Sequence, residues 1–234
     1  MAAAIGIATT GVLILGVFYA CFKSGRGGVE HAKYTVFRTF NKSPHVSFEL
    51  RKYDKAVAAK TFIPYASASS DVRRSNSQGF RQVAGYIFGG NANSQSIAMT
   101  APVVSRNIPT ESGVELSFIL PSSIQSVSDT PQPNSNRVVL EEIPVHFAAV
   151  HGFYGDYPSS DKIESIGRKL LQGMKEEKVI PIPCPTGITL EANEPPVNLR
   201  VMSYDPPWIP SFLKLNEISI IAGISQMPLE NEEK

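Results

Sequence analysis

Two stretches of helical periodicity, each set between runs of strand character, restrict this 234-residue chain more than any other feature. In "SQGFRQVAGYIFGGN" the side chains of Phe80, Val83, Ala84, Ile87 and Phe88 fall on one helical stripe, and Gly89-Gly90 supplies a stop signal. In "GDYPSSDKIESIGRKLLQGMKEEK" the stripe is Ile163, Ile166, Leu170 and Met174, and Asp161 with Glu164 resembles a capping box. Ahead of the first helix, "HVSFELRKYDKAVAAKTFI" predicts a hairpin, because Val46, Phe48 and Leu50 alternate with Ser47, Glu49 and Arg51 before the turn "YDK". "IAMTAPVVS" and "VELSFIL" predict strands after it, and "PSSIQSVSDTPQPNSN" is a loop by composition. The second helix follows the strand "VHFAAVHGFY" and precedes "LRVMSYD" and "NEISIIAG". Strands, helix, strands thus occur twice. That order predicts an α+β fold in which two equivalent halves curl a mainly antiparallel sheet into a barrel, with two helices outside.

Composition narrows the function. At 42% hydrophobic and 18% charged, the chain can bury a full core, and a formal net charge of +1 argues against an extended nucleic-acid surface. Two cysteines, Cys21 and Cys184, are too few for a disulfide framework. From Ala2 to Phe22 no side chain is charged, a length able to span a bilayer of roughly 30 Å. The expectation is a single-pass membrane protein: Lys23, Arg26 and Lys33 follow the run and nothing basic precedes it, which places the domain in the cytosol. A cleaved signal, leaving the domain secreted or in an endomembrane lumen, is the alternative.

The segments "FELRKY", then "GFRQVAGYIFGGN" leading into "IAMTAPV", then "YDPPWIP" leading into "LNEISII" resemble the signatures of the SOUL haem-binding protein family. The likeness runs from Phe48 to Ile221. It implies a distorted antiparallel β-barrel with two long helices and two pseudo-equivalent halves, of SOUL or GyrI-like type, that binds haem or a related porphyrin non-covalently and is not an enzyme. The resulting division is an anchor or signal at 1–22, a linker at 23–44, a haem-binding domain at 45–225 and an acidic tail at 226–234. Haem is the expected cofactor and partner, with the membrane as a second partner through the N-terminal segment.

A porphyrin is a flat apolar plate with two propionates, so its groove needs aromatic and aliphatic walls and a cation near the mouth. "DPPWIP" fixes a stiff loop in which Tyr204 and Trp208 offer flat faces, unless Trp208 packs over the barrel's open end. Under the resemblance the opposite wall is the helix carrying Phe80, Ala84 and Phe88, a stripe that equally suits the core. Arg81, with Arg73 and Arg74, is either a partner for propionates or an ordinary solvated surface arginine. Met99 is a soft iron ligand or core filler. The family's candidate histidine ligand is replaced by Lys52 within "FELRKY", so no metal ligand is assigned, and Gly85 and Ile209 stand where the resemblance implies propionate-steering lysines in another branch.

His146 and His151 differ by an odd number of residues and point to opposite faces of a regular strand; His31 and His45 lie near the domain entry. Glu141 and Glu142 likewise turn apart. "IFGGN" and "SGRGG" lack phosphate-loop spacing, and Cys184 has no cysteine partner for zinc. The reading is a haem or tetrapyrrole binder that buffers or passes on its ligand near a membrane. Two alternatives stay open: the same fold with another amphipathic ligand, and a tethered protein-interaction module.

Overall fold

The computed structural model describes residues 28–41, 46–65 and 72–223. In chain order the elements are β1 (Glu30–His31), β2 (Tyr34–Phe40), β3 (Phe48–Tyr53), β4 (Ala56–Pro64), α1 (Val72–Ile87), β5 (Thr100–Ala101), β6 (Val103–Ile108), β7 (Gly113–Ile119), β8 (Val139–Ile143), β9 (His146–Tyr154), α2 (Ser160–Glu176), β10 (Ile180–Pro181), β11 (Pro183–Ile188), β12 (Leu199–Ser203) and β13 (Leu215–Gly223).

Both helices start and stop for local reasons. α1 ends in a Schellman turn: Gly90 N–H donates to the Gly85 carbonyl (2.8 Å), Gly89 N–H to that of Tyr86 (3.4 Å), and Gly89 adopts φ +104°. At the start of α2 the cap is Ser159, whose Oγ accepts from Lys162 N–H (3.4 Å), not the Asp161–Glu164 pair that the sequence suggested.

The strands form an antiparallel sheet in the order β2-β3-β9-β13-β12-β6-β7-β4-β8, with β10 appended to β13 and a separate parallel pair β1-β5. β3 and β4, expected to be a hairpin, do not pair with each other: β3 pairs with β2 and β9, while β4 pairs with β7 and β8. The short link at 54–55 carries the chain from one half of the sheet to the other. Two equivalent units result, β3-β4-α1-β6-β7 and β8-β9-α2-β12-β13, and each gives its first strand to the other: β3 lies on β9, and β8 on β4. Residues 30–40, expected to be linker, supply β1 and the strand β2 at one edge of the sheet.

Strand alternation sorts the core onto two faces. On one face Leu170, Leu171 and Met174 of α2 pack on Leu199, Val201, Ile218 and Ile220, while Val83, Ala84 and Ile87 of α1 pack on Val57, Leu116 and Phe118. Each such fully buried aliphatic contributes about 1.5–3 kcal/mol. The other face carries a smaller cluster of Tyr53, Ala148, Val150 and Met202. Residues from opposite ends of the sheet, Tyr53 of β3 and Ile143 of β8, line one cavity there, so the sheet curls into a half-barrel with both helices outside.

The expectation of a single-pass membrane protein with a cytosolic domain is overturned, and nothing among the described residues supports a membrane as its partner. Among the described residues no helix is long and apolar enough to cross a membrane. α1 and α2 have 16 and 17 residues, short of the roughly 20 apolar residues a span needs, and each buries only one stripe. The run Ala2–Phe22, on which both the anchor and the cleaved-signal expectations rested, lies outside the described residues, as do His45 and the acidic tail.

Candidate functional site

Two places on the molecule have the makings of a site. The first is the outer rim. Between β12 and β13 the loop at 204–214 is braced from both ends: Asp205 Oδ2 accepts from Leu215 N–H (2.6 Å), and Asp156 takes hydrogen bonds from Ser211 Oγ (2.8 Å) and Lys214 Nζ (2.9 Å). Pro206, Pro207 and Pro210 restrict its backbone, and Ile209, 4% exposed, plugs it into the protein. Trp208 and Phe212 are left facing out, 68% and 66% exposed. Large aromatic faces held rigidly in water are a surface prepared for an apolar partner. Arg81 and Gly85 on α1 and Phe88 just past its end fall on one outward stripe at i, i+4 and i+7; Phe88 is 64% exposed, and a Cβ built on Gly85 would meet nothing within 4 Å.

The six candidate positions are therefore divided. Phe80 tilts against Phe118 (ring centroids 5.2 Å apart) and Ala84 is buried beside it, so both are core residues of α1. Arg81, Phe88 and Trp208 face solvent. Tyr204 belongs to the inner face of the sheet, away from α1: its hydroxyl donates to Glu217 Oε2 (2.6 Å). Among the remaining basic and ligating candidates, Arg74 is exposed, the Arg73 side chain lies outside the described set, Met99 packs under α1, and Lys52 is exposed on β3.

The second place is the hollow of the half-barrel, and sequence reasoning missed it. Its polar core is an ion pair between Arg51 of β3 and Glu217 of β13, with Nη1 to Oε2 at 2.9 Å and Nη2 to Oε1 at 2.8 Å. Arg51 also donates to Glu49 (2.7 Å) and lies 4.3 Å from the Tyr34 ring centroid. Burial opposes the Arg51 charge, yet the hydrogen bonds and charge of Glu217 outweigh it and raise its pKa. Burial pushes the Tyr53 phenol up to about 12, and burial together with the Glu217 carboxylate pushes Tyr204 higher still. Beside this network a cavity of about 290 Å³ opens between the halves. Met202, Val104, Ile119 and Ala148 line it with Arg200 and His146. His146 stacks on Tyr53 (5.3 Å, 13°) and its Nδ1–H donates to the Pro144 carbonyl (2.9 Å); burial lowers its pKa. His151, on the opposite face as expected, contacts the Ser47 carbonyl through Nδ1 (2.7 Å).

The signal for this inner face is alternation itself. Arg51 and Tyr53 share parity, as do Glu217 and Ser219, and pairing of β13 with β9 and β12 brings these faces together. In a lone sequence the same residues read as the solvated side of a strand. Among the described residues no group of His, Cys, Asp or Glu side chains is gathered to hold a metal ion.

Comparison with known proteins agrees with this architecture. A family model described as SOUL heme-binding protein matches residues 29–221. Heme-binding protein 2 of Mus musculus is 29% identical over 143 residues, covering 57% of this chain and 67% of that protein. In structure, the EcmrR C-terminal domain superposes with a TM-score of 0.50 at 13% identity, over 74% of this chain and 95% of that one, a likeness of fold alone. A hydrolase from Listeria innocua reaches a TM-score of 0.46 at 11% identity, over 78% of this chain and 94% of that one.

Proposed function

The chain belongs to the SOUL heme-binding protein family, and from that premise we propose that it binds haem or a related tetrapyrrole without a covalent bond, as a carrier or buffer and not as a catalyst. The observation that carries this reading is the pair of outward aromatic faces Trp208 and Phe88, 68% and 64% exposed, on a protein whose large apolar groups are mostly buried. A cavity of about 290 Å³ sits at the lower end of the roughly 300–1,000 Å³ range of small-molecule pockets, and a porphyrin is larger than most ligands of that class, so this reading puts the macrocycle on the outer rim. The outer stripe of α1 suits such a plate: Gly85 offers no side chain in its way, Phe88 an aromatic face, and Arg81 a guanidinium for a propionate. The Trp208 loop supplies a second face that needs little ordering. Phe80 and Ala84 then support the site from within, and Tyr204 acts only by fixing the root of the loop.

Bound haem would supply an iron centre, but the residues named here fit the porphyrin faces and propionates, not the iron. Haem and metal-free protoporphyrin are therefore expected to bind with comparable affinity. Trp208→Ala should weaken both about tenfold while leaving the melting temperature unchanged, since the ring contributes stacking to the ligand and little to the core. Absorbance titration of the purified protein measures both. Unaltered affinity in Trp208→Ala together with Phe88→Ala would remove the rim as the site, and binding of haem alone would require an iron ligand that this reading lacks.

A further inference from the structure

We infer that the cavity inside the half-barrel is a separate binding site for a small amphipathic anion, a medium-chain or single-ring carboxylate, held by Arg200. The argument starts from charge. Every other arginine on the inner face has its carboxylate: Arg51 has Glu217 and Glu49, and Arg106 has Glu115 at 3.2 Å. Glu115 is further engaged by Lys60 at 3.4 Å, and Lys60 by Glu141. Arg200 has only the amide oxygen of Asn198, 3.2 Å from Nε, and no ion pair among the described residues. Half-buried on β12, it lines the floor of the cavity. Burial disfavours its charge and the neighbouring charge of Arg106 adds to that penalty, with Glu115 a weaker compensation. An arginine does not escape by losing its proton, so the cavity is lined by a guanidinium whose charge is only partly compensated and whose two terminal nitrogens have no hydrogen bond among the described residues.

The walls describe the rest of the ligand. Val104, Ile119, Leu120, Ile143, Ala148 and Met202 are apolar, and the volume has room for roughly ten water-sized groups, the size of a short alkyl chain or one ring with its carboxylate. Glu30, Asp54, Lys33 and Lys55 also line the cavity, two of each sign, so these four residues add no net charge. Glu30 is held by Ser122 N–H (3.0 Å) and Lys55 by Glu142 (3.2 Å). His31 and His146 are the other titratable side chains in the lining. A cationic ligand is excluded by Arg200 itself and by the pairing of the nearby Glu217 with Arg51. A guanidinium matches a carboxylate through two parallel hydrogen bonds, which fixes the head of the ligand at the floor and its tail among the aliphatic side chains.

Calorimetric titration of the full chain with decanoate and with decan-1-ol tests this. Decanoate should bind about tenfold or more tightly than the alcohol, the value of a charge-assisted contact. Arg200→Met should lose that preference while keeping the alcohol's affinity, and Arg200→Lys should retain part of it; circular dichroism checks that both are folded. Should Arg200→Met not fold, the comparison on the unaltered protein still decides. Absence of decanoate binding, or equal affinity for acid and alcohol, overturns the inference. Trp208→Ala should leave decanoate binding untouched, and haem should not displace decanoate; displacement means one shared site and also overturns it. Decanoate binding without haem binding sinks only the haem reading.

Discussion

Replacing Arg51 with methionine tests whether the inner polar network holds the sheet together. Arg51 and Glu217 have side chains only 8% and 6% exposed, and they exchange two hydrogen bonds of 2.8 and 2.9 Å between strands 166 residues apart in sequence. Arg51→Met strands the Glu217 carboxylate in that interior with the Tyr204 hydroxyl as its remaining donor here. Breaking one side of such a pair costs about 3–5 kcal/mol. At roughly 2–4 °C per kcal/mol for a domain of this size, the melting temperature should fall by about 6–20 °C. Glu217→Gln should cost less, about 2 kcal/mol, because Glu49 at 2.7 Å still faces the guanidinium. Removing both charges in Arg51→Met/Glu217→Leu should cost less than the sum of its parts, with a coupling of about 2 kcal/mol in urea denaturation. As a control, Glu164→Gln breaks an exposed pair with Arg168 (44% and 50% exposed) and should cost at most about 0.5 kcal/mol. A coupling below about 0.5 kcal/mol, or an Arg51→Met loss no larger than the control's, would refute the reasoning.

Two further expectations concern packing and pH. Gly113→Ala puts a methyl group 2.2 Å from Phe62 Cζ and 2.7 Å from the Ile63 carbonyl on the paired strand β4, so stability should drop by about 2 kcal/mol or more in chemical denaturation; a neutral result would mean that Phe62 swings away freely. Tyr53 stays protonated in the folded state up to about pH 12, whereas its unfolded phenol titrates near 10. Its contribution to stability is therefore complete below pH 10 and is lost as pH rises from there through 12. Followed by phenolate absorbance, the native titration near pH 10 should be unchanged by Tyr53→Phe, because Tyr53 does not ionise there in the folded state; loss of one tyrosine from that titration in the variant would overturn the expectation.

The helices were legible because an amphipathic stripe and a Gly-Gly stop are local signals, and Leu170, Met174, Val83 and Ile87 are buried as their spacing indicates. The curled sheet followed from the order of elements. Pairing partners did not: "YDK" looks like a hairpin turn, but whether β3 folds back on β4 or crosses to β9 depends on contacts about a hundred residues away. The linker reading of 23–44 missed β2 because Tyr34, Val36 and Phe37 at the edge are exposed and show no buried alternation. At the site, Trp208 stood out by its prolines, and its exposure could not be read from them. Phe80 and Phe88 share a stripe on paper, yet one packs on Phe118 and the other lies past the end of the helix. Arg200 carried no local mark, since its lack of a carboxylate partner among the described residues depends on strands far apart in sequence.

The reciprocal gift of β3 and β8 makes this chain, in effect, a covalent dimer. Neither unit owns a finished edge, so a unit standing alone would have to trade strands with a twin to satisfy its backbone. What encloses the central hollow is then a subunit interface that never had to assemble from solution, and its two sides are free to diverge independently because each is encoded separately.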